Sequence, residues 1–304
     1  METVGLVLHP IKPVGDSIAT IVEWAGGHGV QVLARAADRD RVPPSVDVVS
    51  PVEFVARVGG LVALGGDGTM LGAMRMVVDR PVPVLGVNHG NLGFLVEVNP
   101  ARLADGDFTV EQHGCLVADA AGLELTTRYG FNDVVLARLG RTGAVSVDLA
   151  VNDQQYGYYR CDAVVVSTPN GSTAYNYAAG GPVLSPSASC TVITPVAPMA
   201  GISRAVVLGA GDRVSLTVSG DSAPVAVDVD GTAAGELARG DVLTAGMRVD
   251  AAQVVRLSAG TYASRSRVKL SLLDLPLRRD QLLELIPAEL RQEAELNARR
   301  LGPG

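Results

Sequence analysis

The chain has 304 residues, with 25 basic against 32 acidic side chains and a net charge of −7. It has no run of Lys or Arg, so it lacks the basic stripe of a surface that wraps nucleic acid. No apolar stretch reaches the roughly 18 residues needed to span a bilayer. Hydrophobic residues make up 47% of the chain but aromatics only 4%, so Val, Leu and Ala must fill the core of one or two globular domains.

The first hundred residues alternate between two textures. "VGLVLHP", "VQVLAR", "VDVVS", "LVALGG" and "VPVLGVN" are short β-branched runs bounded by Gly, Pro or Asn, and read as strands. "DSIATIVEWAGG", "PVEFVARVGG" and "MLGAMRMVVDR" lie between them with helical apolar spacing. This rhythm predicts a parallel sheet covered on both faces. After about Pro100 the pattern becomes period-two, in "VSVDLAVNDQQYGYY", "RVSLTVSG", "APVAVDVDG" and "MRVDAAQVVRLSAG", with Asn-Asp and Asp-Gly turns. That predicts an antiparallel, β-rich second unit. From "LPLRRDQLLELIPAEL" onwards the pattern is helical again. We therefore expect an α/β domain over 1–100, completed by the segment 265–304, and a β-rich domain over 101–264.

"LVALGGDGTM" places a glycine loop and one carboxylate at the end of a buried strand. Ligands of open α/β sheets bind at such ends. Gly65, Gly66 and Gly68 tolerate positive φ and lack a Cβ, so their amides can close on an anion. A helix from about Met70 adds the positive end of its dipole, and Thr69 is placed to cap it or to bond a phosphate oxygen. Asp67 repels phosphate, but it suits a hydroxyl awaiting deprotonation or a divalent cation that travels with phosphate. The loop thus suggests phosphoryl transfer to an alcohol. The plain alternative, for this motif alone, is a tight turn with a solvent-facing Asp. The chain has only two lysines, Lys12 and Lys269, both far from the motif in sequence. Charge on the transferred group is therefore left to Mg²⁺, backbone amides and arginine.

A second constellation runs from Arg160 to Pro186. A buried strand over Ala163 to Val166 leads into "STPNGSTAY", where small and hydroxyl-bearing residues open a short helix. Tyr175 is placed to stack on a base or ribose. The adjacent pair Asn132 and Asp133 suits the two hydroxyls of a ribose; an Asn-Asp turn before the strand "VVLAR" is the alternative reading.

Four motifs in this order, "GGDGT" (65–69), "NHGNLGFL" (88–95), "FNDVVLAR" (131–138) and "DAVVVSTPNGSTAYNYAAGGPVLSP" (162–186), resemble the NAD kinase family. "VDVDGTAAGELARGDVL" is a weaker echo. GGDGT alone is shared with lipid and sugar kinases; the long block is much more specific. The resemblance implies a Rossmann-like or phosphofructokinase-like α/β domain followed by a β-sandwich. It also implies transfer of a phosphoryl group from ATP or polyphosphate to the 2′-hydroxyl of the adenosine ribose of NAD, with Mg²⁺ or Mn²⁺.

On this chain the resemblance implies Asp67 as general base, with Gly65, Gly66, Gly68 and Thr69 at the phosphates. Asn88, Asn132, Asp133, Asn170, Thr173, Ala174, Tyr175 and Ala178 would hold NAD. Arg160 and Asp162 would join them, the Asp often coming from a neighbouring subunit, which implies a homodimer or homotetramer. Asn170 stands where the family often has Thr or Ser. Met199, Ala200 and Gly201 replace a His-containing or polar stretch, and Thr232 stands near a position that is often a polar contact. A relative that phosphorylates another nucleoside hydroxyl, or a silent dinucleotide sensor, therefore stays open at this point. His89 reads as a loop residue, Cys161 carries no mark of a nucleophile, and Cys190 is expected in the core. Three scattered cysteines, and an N-terminus without the pattern of a secretory leader, make us expect a cytoplasmic protein. We expect no nucleic-acid or membrane partner.

Overall fold

The computed structural model describes residues 2–89 and 108–257. The segment 265–304 and residues 90–95 of the second motif lie outside the described residues. Five parallel strands are laid down first: β1 (Thr3–Leu8), β2 (Gln31–Arg35), β3 (Asp47–Val49), β4 (Leu61–Gly65) and β5 (Pro83–Asn88). Their order across the sheet is β3-β2-β1-β4-β5. The connections diverge between β1 and β4, which creates a crevice at the carboxyl ends of those two strands.

The helices cover both faces, as a sheet of wholly apolar strands requires. α1 (Gly15–His28) buries Ile18, Ile21 and Ala25 on one side. On the other, α2 (Pro51–Arg57) contributes Phe54, and α3 (Asp67–Met76) contributes Met70, Leu71, Ala73 and Met74. Pro51 sits in the first turn of α2, and the Ser50 hydroxyl accepts from the Glu53 N–H, so both start signals are present.

The second half is antiparallel. β6 (Phe108–Ala120), β7 (Tyr129–Gly130), β8 (Asp133–Arg138), β9 (Val145–Val151), β10 (Gln154–Cys161) and β11 (Ala163–Ser167) come first. A 3₁₀ turn (Asn170–Thr173) and the single-turn α4 (Tyr175–Ala178) follow. β12 (Cys190–Val196), β13 (Ala200–Gly201), β14 (Val206–Gly209), β15 (Val214–Val218), β16 (Val225–Val229), β17 (Thr232–Leu237) and β18 (Val242–Leu257) complete it. The β9–β10 hairpin turns on Asn152 and Asp153, both at positive φ, as its Asn-Asp signal predicts.

One sheet has the order β14-β12-β11-β8-β16-β17, and its apolar face packs on β6, β9, β10, β15 and β18 to form a sandwich core. β18 belongs to both halves. Its first residues pair β15, residues 253–255 run parallel to β5, and it pairs β6 over most of its length. The α/β sheet and half of the sandwich are thus one continuous sheet. Among the described residues no helix is long and apolar enough to cross a membrane.

Candidate active site

β4 delivers "GGDG" to the crevice beside β1. α3 begins at Asp67, three residues earlier than its apolar periodicity suggests, because the Gly66 carbonyl accepts from both Thr69 and Met70 N–H. Asp67 therefore stands in the first turn, where an acid suits the helix dipole. Two expectations need correction. Gly66 caps the helix, not Thr69. None of Gly65, Gly66 and Gly68 is at positive φ. A Cβ on Gly65 would lie 2.2 Å from Thr69 Oγ1 and 3.1 Å from His9 Cβ, so that glycine is needed for packing. At Gly66 and Gly68 nothing lies within 4 Å of such a Cβ. Their bareness leaves the first-turn amides open to an incoming ligand.

A cleft of about 700 Å³ opens here, lined by Gly66, Gly68, Thr69 and Gly72 on one wall. His9, Lys12, Arg35, Asp38 and Arg41, from the segment after β1 and from the end of β2 onwards, line the cleft too. Arg35 is paired with Asp38 at 2.8 Å, and Arg41 donates to the carbonyls of His9 and Lys12 at 2.7 and 2.9 Å. His9 Nδ1 accepts from the Ile11 and Lys12 N–H groups, which fixes the loop. The half-buried Lys12 has no ion-pair partner among the described residues. Remote in sequence, Lys12 lines the same cleft as the glycine loop because β1 and β4 are adjacent strands. Asn88 pairs with Gly65 across β4 and β5. The His89 N–H donates to the Gly65 carbonyl, and its Nε2 lies 2.9 Å from Ser17 Oγ. Burial, then the Lys12 ammonium, holds the His89 imidazole below its usual range. That fits a neutral loop residue.

The second cluster forms where β8 and β11 end side by side, Asp133 opposite Ser167. The Asn132 carbonyl accepts from Thr168 N–H and Ser167 Oγ, and Phe131 O accepts from Thr168 Oγ1 at 2.6 Å. A Cβ on Gly171 would lie 2.0 Å from Asn132 O. That glycine is what lets the 3₁₀ turn close on the Asn-Asp pair. Asp133 is 5% exposed. Burial first, then Asp230, pushes its carboxyl up to about 7, against a hydrogen bond from the Tyr175 N–H. Tyr175 itself is 42% exposed, a ring open to solvent beside a buried acid.

Asp230, at φ 48° in the β16–β17 turn, holds this cluster together. Its fully buried carboxylate accepts the N–H groups of Phe131, Asn132 and Asp133 at 3.0, 2.7 and 3.1 Å. It also accepts from Arg75 of α3 at 2.7 Å. Neither Asp230 nor Arg75 is among the site residues expected from sequence. The Asp-Gly pair was a usable signal for the turn; nothing in sequence points to Arg75.

The structure thus brings Gly65, Gly66, Asp67, Gly68, Thr69 and Asn88 together at one crevice. Asn132, Asp133, Asn170, Thr173, Ala174, Tyr175 and Ala178 gather at a second, joined to the first through α3. Arg160 and Asp162 do not converge with either. They precede β11, whose other end carries the second cluster, about 17 Å from Asp162 along the strand. Arg160 pairs with Asp221, and Asp162 with Arg138 at 3.5 Å. Cys115 and Cys161 are buried, which pushes each thiol up to about 12, out of nucleophilic range. Cys190 is only half-buried, at the start of β12, which corrects its placement in the core.

Residues 46–106 match the family model of the ATP-NAD kinase N-terminal domain, and residues 131–257 that of the ATP-NAD kinase C-terminal domain. The NAD kinase of Symbiobacterium thermophilum is 34% identical over 89% of this chain and 99% of its own. NAD kinase 1 of Streptomyces avermitilis is 32% identical over 99% of this chain and 96% of its own. Among solved structures, yeast NADH kinase complexed with NADH superposes with a TM-score of 0.79 at 20% identity, covering 92% of this chain and 90% of that one. An NAD kinase from Archaeoglobus fulgidus in complex with ATP gives a TM-score of 0.66 at 19% identity, covering 90% of this chain and 98% of that one. Fold and matches together define a phosphotransferase that acts on a hydroxyl group. The chain belongs to the NAD kinase family.

Proposed function

We propose that this NAD kinase transfers the γ-phosphoryl group of ATP to the 2′-hydroxyl of the adenosine ribose of NAD, with Asp67 as the general base. The observation that carries the reading is the placement of Asp67 in the first turn of α3, at the β1/β4 crevice. In the reaction the Asp67 carboxylate takes the hydroxyl proton as O2′ bonds to the γ-phosphorus. The bond to the β–γ bridging oxygen breaks, and ADP departs. The Gly66–Gly68 amides and Lys12 face the phosphate chain across the cleft and hold it in line. Linear polyphosphate presents similar anionic oxygens and is a second donor to test.

Asp133 and Asn132 are read as the ribose and nucleotide contacts, with Tyr175 stacking nearby and Asn170, Thr173, Ala174 and Ala178 lining the same cluster. Among the described residues no three His, Cys, Asp or Glu side chains gather to hold a metal ion. Asp38, at the cleft, is committed to Arg35. A Mg²⁺ or Mn²⁺ ion held mainly by phosphate and water, with Asp67 the nearest carboxylate of the loop, fits this donor set and would offset charge on the transferred group. We further read the protein as a cytoplasmic homo-oligomer. Supporting this are its free cysteines, the distance of Arg160 and Asp162 from the rest of the cluster, and the exposed Tyr156, Tyr158 and Met199 near the edge strand β13.

Asp67→Asn keeps shape and loses the base. It should lower kcat by about 10²–10⁴-fold while leaving the Kd for NAD within a few-fold of wild type. A coupled assay for NADP, with calorimetry for NAD, measures both. Near-normal turnover would remove Asp67 from the mechanism.

A further inference from the structure

β6 and β18 are interrupted by a bulge: Arg248 pairs Cys115, but the next pair is Ala252 with His113. Gly114 permits it, since a Cβ there would lie 2.6 Å from Met247 Cε and 3.1 Å from the Arg248 carbonyl. Bulges re-aim side chains, and here His113 faces the nucleotide cluster. His113 is 5% exposed, and its Nδ1 lies 2.7 Å from Asn170 Nδ2. Its Nε2 faces Glu111 Oε2 at 3.4 Å, and the same oxygen accepts from Arg256 Nε at 2.9 Å. Arg256 is 2% exposed and is the largest fully buried side chain among the described residues.

His113 and Arg256 are buried in this ladder while Glu111 is 40% exposed; a polar chain of this kind adds little net stability that apolar residues could not supply, so its geometry asks for another role. The hydrogen bond to His113, then Arg256, holds the Glu111 carboxyl down at about 2 against burial, so the ladder is anionic there at working pH. An ionised Glu111 takes the Nε2–H of the ring. The contact with the Asn170 amino group at 2.7 Å makes Nδ1 the acceptor of this pair. The amide oxygen of Asn170 points the other way, and no partner for it exists among the described residues.

We propose that His113, set by Glu111 and Arg256, is a positioning residue that locks the Asn170 amide with its oxygen outward, as a fixed acceptor for a donor group of the nucleotide, a hydroxyl or an amino group. This rests on the reading of Asn170 as part of the NAD site. It also explains why an amide can stand where the family often has a hydroxyl. A serine or threonine hydroxyl rotates to suit its partner, whereas an amide must be held in one of two orientations.

The test is a double-mutant cycle on the Kd of NAD, measured by calorimetry without ATP, with kcat and KM alongside. Asn170→Ala should weaken NAD roughly 5-fold, the loss of one neutral hydrogen bond. His113→Phe should weaken it several-fold in the wild-type chain and not at all in the Asn170→Ala background. For His113→Phe kcat should stay within two-fold while KM for NAD rises. His113→Asn places an oxygen near the Nδ1 position and should restore most of the affinity. Losses that simply add, or a His113→Phe chain that binds NAD normally, would overturn the relay while leaving NAD phosphorylation intact. A wild-type chain that neither binds nor phosphorylates NAD would remove the parent reading and the relay with it.

Discussion

Asp133 carries the sharpest conflict at the scale of single residues. Its carboxyl is buried, close to the Asp230 carboxylate, and is pushed up to about 7. A folded-state value above the unfolded one means that the native protein holds the proton more tightly. Stability from this group is therefore full below about pH 4 and declines as the pH rises towards and through about 7. Asp133→Asn cannot ionise. It should raise Tm relative to wild type at pH 8.5 and change it little at pH 5, as read by thermal denaturation. Binding runs the other way, because ribose hydroxyls are donors and the ionised form accepts both. kcat/KM for NAD should rise through about pH 7 in wild type, and this limb should vanish in the variant. A Tm difference independent of pH would remove the assigned cause. The Asn-Asp pair was legible in sequence. Its raised proton affinity was not, because burial and Asp230 are supplied by residues about a hundred positions away.

Among elements, α3 does more than open at the glycine loop. Arg75, two turns further on, reaches the Asp230 carboxylate, and that carboxylate fixes the backbone of residues 131–133. Donor loop and nucleotide loop are thereby tied to the two ends of one short helix. Removing one partner of a buried pair leaves the other uncompensated, which costs about 3–5 kcal/mol. Asp230→Asn should lower the unfolding free energy by an amount of that order. It should also raise KM for NAD more than KM for ATP, since the three amides that the carboxylate holds belong to the nucleotide loop and an amide keeps only one of its two acceptor oxygens. Denaturant titration and steady-state kinetics measure the two effects. Equal effects on both KM values would mean that the contact serves stability alone. The strands and helices themselves were readable from periodicity and turn residues, because those signals are local. The early start of α3 was not, because a glycine carbonyl sets it and leaves no trace in the apolar pattern.

For the molecule as a whole, β18 makes the α/β half and half of the sandwich one sheet. The two crevices are therefore built on a single frame. Within one chain Arg160 and Asp162 remain remote from both. Tyr158, 45% exposed, and Met199, 59% exposed, lie near the short edge strand β13. If that edge meets a second copy, Tyr158→Glu should shift the mass measured by sedimentation from oligomer towards monomer. It should also raise KM for NAD, because a partner's Arg160 and Asp162 would be lost. A monomeric wild type with full activity would remove the oligomer from the reading.

The sequence by itself determined the alternation of strand and helix, the change to antiparallel texture near residue 100, and the residues with chemistry at each strand end. These follow from side-chain period and turn chemistry, which act over a few residues. Only the tertiary structure decided that Lys12 faces the glycine loop, that Asp230 clamps residues 131–133, that His113 reaches Asn170, and that Arg160 and Asp162 stand apart. Those outcomes depend on strand order, register and one bulge. Long-range pairing sets all three, and no short stretch of sequence encodes it.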